Sequence, residues 1–180
     1  VFNVFVHWLY TQSLPDGRDD ECERFQKMRE LAGEMIDYPG DTLDDLMTDL
    51  YVFADRYNVP RLRIQIVDNL VSKYQWSAAN LVPCYETVIY AFNKLLDSSS
   101  LCRFFVDIFA HRWDIGYDAD TDIGIRSTLP KEFLLGLVFA LGEAKRRFKE
   151  LGEWPEFLER CRYHDHTTDE KKEVCLNTWT

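Results

Sequence analysis

The amino-acid sequence predicts an all-α protein, and three observations predict it. Apolar residues recur at spacings of three and four along almost the whole chain, the signature of amphipathic helices. No stretch sustains the period-two alternation of a half-buried strand, so any strand is short. Prolines and short polar clusters fall between the periodic runs, where they start and stop helices. With 46% apolar and 14% aromatic residues in 180, the chain has the material for a packed core and is not a disordered segment.

Phe2, Phe5, Val6, Leu9 and Tyr10 fall on one face of a short first helix, which Pro15-Asp16-Gly17 follows as a turn. In the polar stretch beyond, Phe25, Met28, Ala32, Met35 and Ile36 keep helical spacing until Pro39-Gly40 ends the pattern. Asp41 or Thr42 can cap the next helix, whose stripe is Leu43, Leu46, Met47, Leu50, Tyr51, Ala54 and Tyr57. Asn58-Val59-Pro60 stops it, because the residue before a proline is pushed out of the helical region. Pro60 then suits the first turn of another helix. There Leu62, Ile66, Leu70 and Tyr74 recur at steps of four, and Ile64, Val67 and Val71 widen the face enough to predict burial on more than one side.

Pro83 opens a helix carrying Tyr85, Val88, Ile89, Phe92 and Leu96. Asp97 to Ser100 punctuates and caps, and Leu101, Phe104, Phe105, Ile108 and Phe109 follow at helical spacing. Asp114 to Thr128 reads as a polar loop. Pro130 opens a long helix with Phe133, Leu134, Leu137, Val138 and Leu141, whose later half, Glu143 to Glu150, is charged and solvated. Trp154-Pro155 starts a short element through Phe157, Leu158 and Cys161, and Thr167 with Glu170 fits the capping box of a final helix.

The net charge of −10 repels phosphate backbones, which excludes nucleic-acid binding by this segment. The longest apolar run, Phe133 to Leu141, is far too short to span a bilayer, so no membrane association is expected. The apolar start lacks a basic leader, a cleavage site and an initiator Met, which reads as the interior of a longer protein. Five scattered cysteines, Cys22, Cys84, Cys102, Cys161 and Cys175, suit a reducing, intracellular compartment, cytoplasmic or nuclear, rather than a disulfide framework. Cys84 and Cys102 read as small buried hydrophobes on helices.

Two segments carry a family resemblance. Val4-Phe5-Val6-His7-Trp8-Leu9-Tyr10-Thr11 resembles the BTB/POZ helix that ends in a Trp/Phe-Leu-Tyr-Thr signature. Leu50-Tyr51-Val52-Phe53-Ala54-Asp55-Arg56-Tyr57-Asn58-Val59-Pro60-Arg61-Leu62 resembles the paired helices that close that domain. Cys102-Arg103, His111-Arg112-Trp113-Asp114, Leu129 to Phe133 and Cys161 to His166 are similar to fungal members of the group. The resemblance implies that residues 1–76 are the C-terminal part of a BTB/POZ domain, with a polar insertion at about 12–41, and that residues 77–180 form a helical extension with a Cys/His-containing tail. The sheet-containing first part of the domain, with its dimer-forming helix and cullin-contacting loop, is absent from this sequence. Physically, Ala54 lets a neighbouring helix approach closely, and Tyr57 and Leu62 fill the corner between two helices whose turn Pro60 fixes.

Candidate chemistry is sparse. Asp118-x-Asp120-x-Asp122-x-Gly124 has the spacing of a calcium loop, but Ile123 and Leu129 stand where the glycine and the bidentate glutamate belong, so a solvated acidic loop is the reading. Cys161, His164, His166 and Cys175 have zinc-ligand chemistry within fifteen residues and form the alternative, a zinc-stabilised regulatory module. Against it, a helix from Thr167 carries Cys175 two turns from the histidines, leaving an amphipathic hairpin as the plainer reading. His7 and His111 read as structural or solvent-facing, no nucleophile has an activating neighbour, and there is no phosphate loop, so neither catalytic residues nor cofactor are expected. The acidic residues read as solvated helix faces. Trp8 and Trp113 read as core; Trp76, Trp154 and Trp179 are further interface candidates, Trp179 as the more exposed. The expected function is protein–protein interaction of BTB/POZ type, by oligomerisation with itself or another BTB protein, or as an adaptor toward a cullin-type ubiquitin ligase.

Overall fold

The structure, a computed structural model, describes residues 1–14, 42–75, 81–118, 120–151 and 160–164. Every element among them is helical, as the periodicity predicts. In chain order the α-helices are α1 (Phe2–Thr11), α2 (Thr42–Arg56), α3 (Pro60–Gln75), α4 (Tyr85–Lys94), α5 (Ser100–Arg112), α6 (Asp120–Ile125) and α7 (Lys131–Leu151). Short 3-10 turns cover Ile115–Tyr117, Arg126–Thr128 and Arg160–Tyr163. The readings for Phe25 to Ile36, Trp154 to Leu158, the Thr167/Glu170 capping box, and Trp76 and Trp179 lie outside the described residues.

Helix α3 is the centre of the core. Leu62, Ile66, Val67, Leu70, Val71 and Tyr74 are all buried, so its wide stripe does serve two sides. One side meets α2 through Leu46, Met47, Leu50 and Ala54. The other meets α5, where the rings of Tyr74 and Phe104 lie 5.9 Å apart. Each such large side chain contributes about 1.5–3 kcal/mol by leaving water.

The α2–α3 corner follows from local chemistry. Asn58 takes a left-handed φ of 51°, a conformation asparagine tolerates better than most residues. The Val59 amide donates to the Ala54 carbonyl at 2.8 Å and the Asn58 amide to Asp55 at 3.1 Å, which is a Schellman closure. Val59 and Leu62 pack into the corner. Tyr57 does not: it is 62% exposed, and its ring takes Phe53, one turn back, as its partner at 4.5 Å.

Two further expectations change. On α1 the core takes Val4 and Trp8, whereas Phe2, Leu9 and Tyr10 face outward. Apolar residues cover more of the helix than one neighbour can bury, with only Asn3, His7 and Thr11 making a polar side, so its period leaves the buried face open; Gln65 of α3 selects it by accepting from the Trp8 indole N–H at 2.6 Å. Gln65 also donates to the Gln12 carbonyl at 2.9 Å, tying down the end of α1. At the end of α4, Leu95 is buried and Leu96 exposed, because the chain has already turned extended at Leu95.

Residues past position 80 pack directly on this centre. Ser99 caps α5 by accepting from the Cys102 amide, as Asp97 to Ser100 foretells. Phe133 of α7 lies edge-on to Phe109 of α5 and to Phe92 of α4. Gly136 lets α7 approach α5 closely: a Cβ there would sit 2.9 Å from a Val106 methyl. The expected loop from Asp114 to Thr128 is instead mostly helical turns, because Asp114 caps the first by accepting from the Gly116 amide and Asp118 holds the rest. No helix among the described residues is long and apolar enough to cross a membrane.

Candidate interaction surfaces

The outward side of α1 is the most apolar surface near the family-like motifs. Phe2 is 64%, Leu9 49% and Tyr10 87% exposed. On its flank, the Phe5 and Phe53 rings are tilted against each other with centroids 4.9 Å apart, and those of Phe53 and Tyr57 at 4.5 Å. Phe5 also stacks on the buried Trp8 ring with centroids 6.0 Å apart, which gives that end of the ladder a fixed support. Exposed aromatic groups on a rigid base are what hot spots are made of, since little side-chain entropy remains to be lost on docking.

Helix α7 presents a second apolar surface. Leu134, Leu135, Val138, Phe139 and Leu141 are exposed by 42%, 46%, 64%, 73% and 41%. Only the side carrying Phe133, Gly136 and Ala144 turns inward. Beyond Gly142 the helix is solvated as expected except at buried Ala144, with Arg146 bridging Glu143 and Glu150 on its surface.

Several acidic residues are not solvated. Asp44 is buried and accepts from Tyr74 Oη at 2.5 Å and Lys73 Nζ at 2.9 Å. Asp45 accepts from Thr87 Oγ1, and Asp49 from Tyr90, tying α2 to α4. Burial, with the Asp49 carboxylate beside it, pushes the Tyr90 phenol up to about 12. Asp107 accepts from Tyr163 Oη at 2.9 Å and pairs with Arg162 at 3.0 Å, fastening the Arg160–Tyr163 turn to α5. Burial raises the Asp107 carboxyl above its ordinary value, against the pull of Arg162 and Tyr163. Asp118 gathers Tyr85 Oη at 2.7 Å, the Trp113 indole N–H at 3.0 Å and the Arg126 guanidinium. Burial works against the charged form of Asp118, but those donors outweigh it and hold its carboxyl low. Sequence periodicity does not find these acids; the one signal is Asp107 standing alone within the apolar run Phe104 to Phe109.

Asp118 therefore serves a helical clamp, not a solvated loop, and the Asp120 and Asp122 side chains lie outside the described ones. Of the zinc candidates, Cys161 and His164 are buried, His164 Nε2 lies 2.9 Å from Asp68 Oδ1, and His166 and Cys175 fall outside the described residues. Among the described residues no three His, Cys, Asp or Glu side chains converge to hold a metal. Cys102 is buried as expected, whereas Cys84 is only half-buried at the start of α4. Burial raises both thiols, Cys102 to about 11, which keeps them protonated and weakly nucleophilic. His7 is exposed, and His111 Nδ1 sits 2.9 Å from the Asp107 carbonyl one turn back. Trp8 is core; Trp113 is 37% exposed and belongs to the Asp118 clamp.

No protein-family model matches the chain, and no curated protein or solved structure matches it.

Proposed function

We propose that this chain is a non-enzymatic, intracellular protein–protein interaction module of BTB/POZ type, which works by oligomerisation or as an adaptor toward a cullin-type ubiquitin ligase. The observation that carries the reading is the exposed apolar side of α1, with Phe2, Leu9 and Tyr10 beside the Phe5–Phe53–Tyr57 ladder. All of these residues but Phe2 lie on the two segments that resemble the family. In this reading residues 1–76 belong to the BTB/POZ unit and residues 77–180 extend it.

The test is affinity purification of the chain in its native context, beside a Phe2→Glu/Tyr10→Glu variant. Recovery of a BTB protein or a cullin by the parent, and its loss in the variant, is the expected result. Recovery of neither, or recovery that the variant leaves unchanged, overturns the proposal.

A further inference from the structure

We infer that the groove between α5 and α7 binds a short extended segment of another protein, one in which two cationic side chains flank an apolar one. The groove is separate from α1, so the inference does not rest on the reading above. Phe109 faces Phe133 and Val106 faces Gly136, so the two helices run antiparallel. They meet closely at Gly136, where an added Cβ would lie 2.9 Å from a Val106 methyl. Gly136 and, one turn on, Ala140 bring little bulk of their own, and the space beside them is a groove of about 650 Å³. That volume suits a small ligand or a few side chains. Phe92, Leu135 and Phe139 supply its apolar walls. The walls are largely set before anything binds, because Phe92 stands edge-on to buried Phe133 and Arg162 is tied to Asp107. Little order is left to be imposed on docking.

Charge selects the occupant. Four carboxylates, Asp97, Asp107, Glu132 and Glu143, and two guanidiniums, Arg103 and Arg162, line the groove, a net of −2. Both guanidiniums are engaged within the chain: Arg162 pairs with Asp107 at 3.0 Å, and Arg103 donates to Ser100 Oγ at 3.1 Å. Asp97 and Glu132 enter no ion pair among the described residues. Glu143 pairs with Arg146, but both side chains are more than half exposed, and such a pair contributes little. The charge of the whole chain, −10, acts in the same direction and draws a cationic partner toward it.

Spacing gives the pattern. Glu132 and Glu143 are eleven residues apart on α7, three turns and about 16 Å, so they share one side of the helix. Leu135 and Phe139 stand between them. In an extended segment, residues four apart lie about 13 Å apart, and the residue midway points to the same side. Two lysines so placed reach the two carboxylates with their flexible stems while the middle side chain enters the apolar part of the groove. The complementary sequence is therefore cation-x-apolar-x-cation. The contact is small, so binding is weak and transient.

The probe is the capped peptide Lys-Ser-Phe-Ser-Lys, titrated into the full chain and followed by amide NMR and calorimetry. Saturable binding with Kd below about 1 mM is expected, with the largest shifts at Val106, Gly136 and Ala140. Glu132→Lys and Glu143→Lys, both at exposed positions, should keep the helical circular dichroism and each weaken binding at least about threefold. Phe139→Ser, at a side chain 73% exposed, should do the same through the apolar wall. Glu86→Lys, the same charge change on α4 outside the groove, should alter Kd by less than about twofold. Absence of saturable binding, or shifts centred away from the groove, overturns the inference. So does Glu86→Lys as damaging as Glu132→Lys, which would mean only general attraction to an acidic chain. Binding that survives replacement of the peptide's lysines by glutamates, or of its phenylalanine by serine, overturns it as well.

Discussion

Replacing Tyr163 by Phe isolates one buried hydrogen bond. Tyr163 is 1% exposed, and its ring stands edge-on to Phe104 at 5.7 Å, a contact that phenylalanine keeps. What disappears is the 2.9 Å donation from Oη to the Asp107 carboxylate, at an acid only 8% exposed. A hydrogen bond to a charged partner contributes about 1.5–3 kcal/mol net. Arg162 remains in place, but its side chain is 57% exposed, so its pairing with Asp107 is discounted for solvent and supplies no more than about 1 kcal/mol. The expected loss is therefore about 2 kcal/mol by urea denaturation, or roughly 4–8 °C in Tm for a chain of this size. Arg162→Ala should cost less than half as much. A Tyr163→Phe variant within about 0.5 kcal/mol of the parent, the range of ordinary surface substitutions, would refute the claim that this node anchors the turn. The pH dependence supplies a second check. Asp107 is raised above 3.8 mainly by burial, so the folded state holds its proton more tightly than the unfolded chain. Its linkage stabilises the fold fully below 3.8 and is lost as pH rises through the raised value. Asp107→Asn should erase that component of the pH profile.

Three further outcomes follow from the same geometry. Ala54→Leu should destabilise by about 1–3 kcal/mol through overpacking at the α2–α3 contact, while Tyr57→Ser should stay within about 0.5 kcal/mol, both read by thermal melts. Gly142→Ala should stabilise by about 0.5–1 kcal/mol because its position is open, whereas Gly136→Ala should lose that gain against Val106 and recover it in the Val106→Ala background. Asp118→Ala should release Trp113 and shift its fluorescence to the red; in the parent the clamp's contribution is present above pH 3.8 and lost as pH falls below it, since the carboxyl is held low.

The all-α class and most helix boundaries were legible because they rest on local chemistry. Proline at the start of α3, Asn58 at the end of α2 and Ser99 before α5 act within a few residues of themselves. The buried faces of α2, α3 and α5 were legible too, because each has one apolar stripe against polar neighbours. Where a helix has more apolar residues than one neighbour can cover, as α1 and α7 have, periodicity leaves its orientation undetermined. There the deciding contacts come from far along the chain: Gln65 turns Trp8 inward, and Val106 fixes which side of α7 meets α5. The acids show the same limit. Asp44, Asp107 and Asp118 look like surface charge in one dimension and become acceptors only when Tyr74, Tyr163 and Tyr85 are folded against them. Sequence alone thus determined that the chain is helical and where its helices turn. Tertiary structure decided which apolar faces remain exposed, because exposure depends on which neighbours arrive and local propensity does not record that.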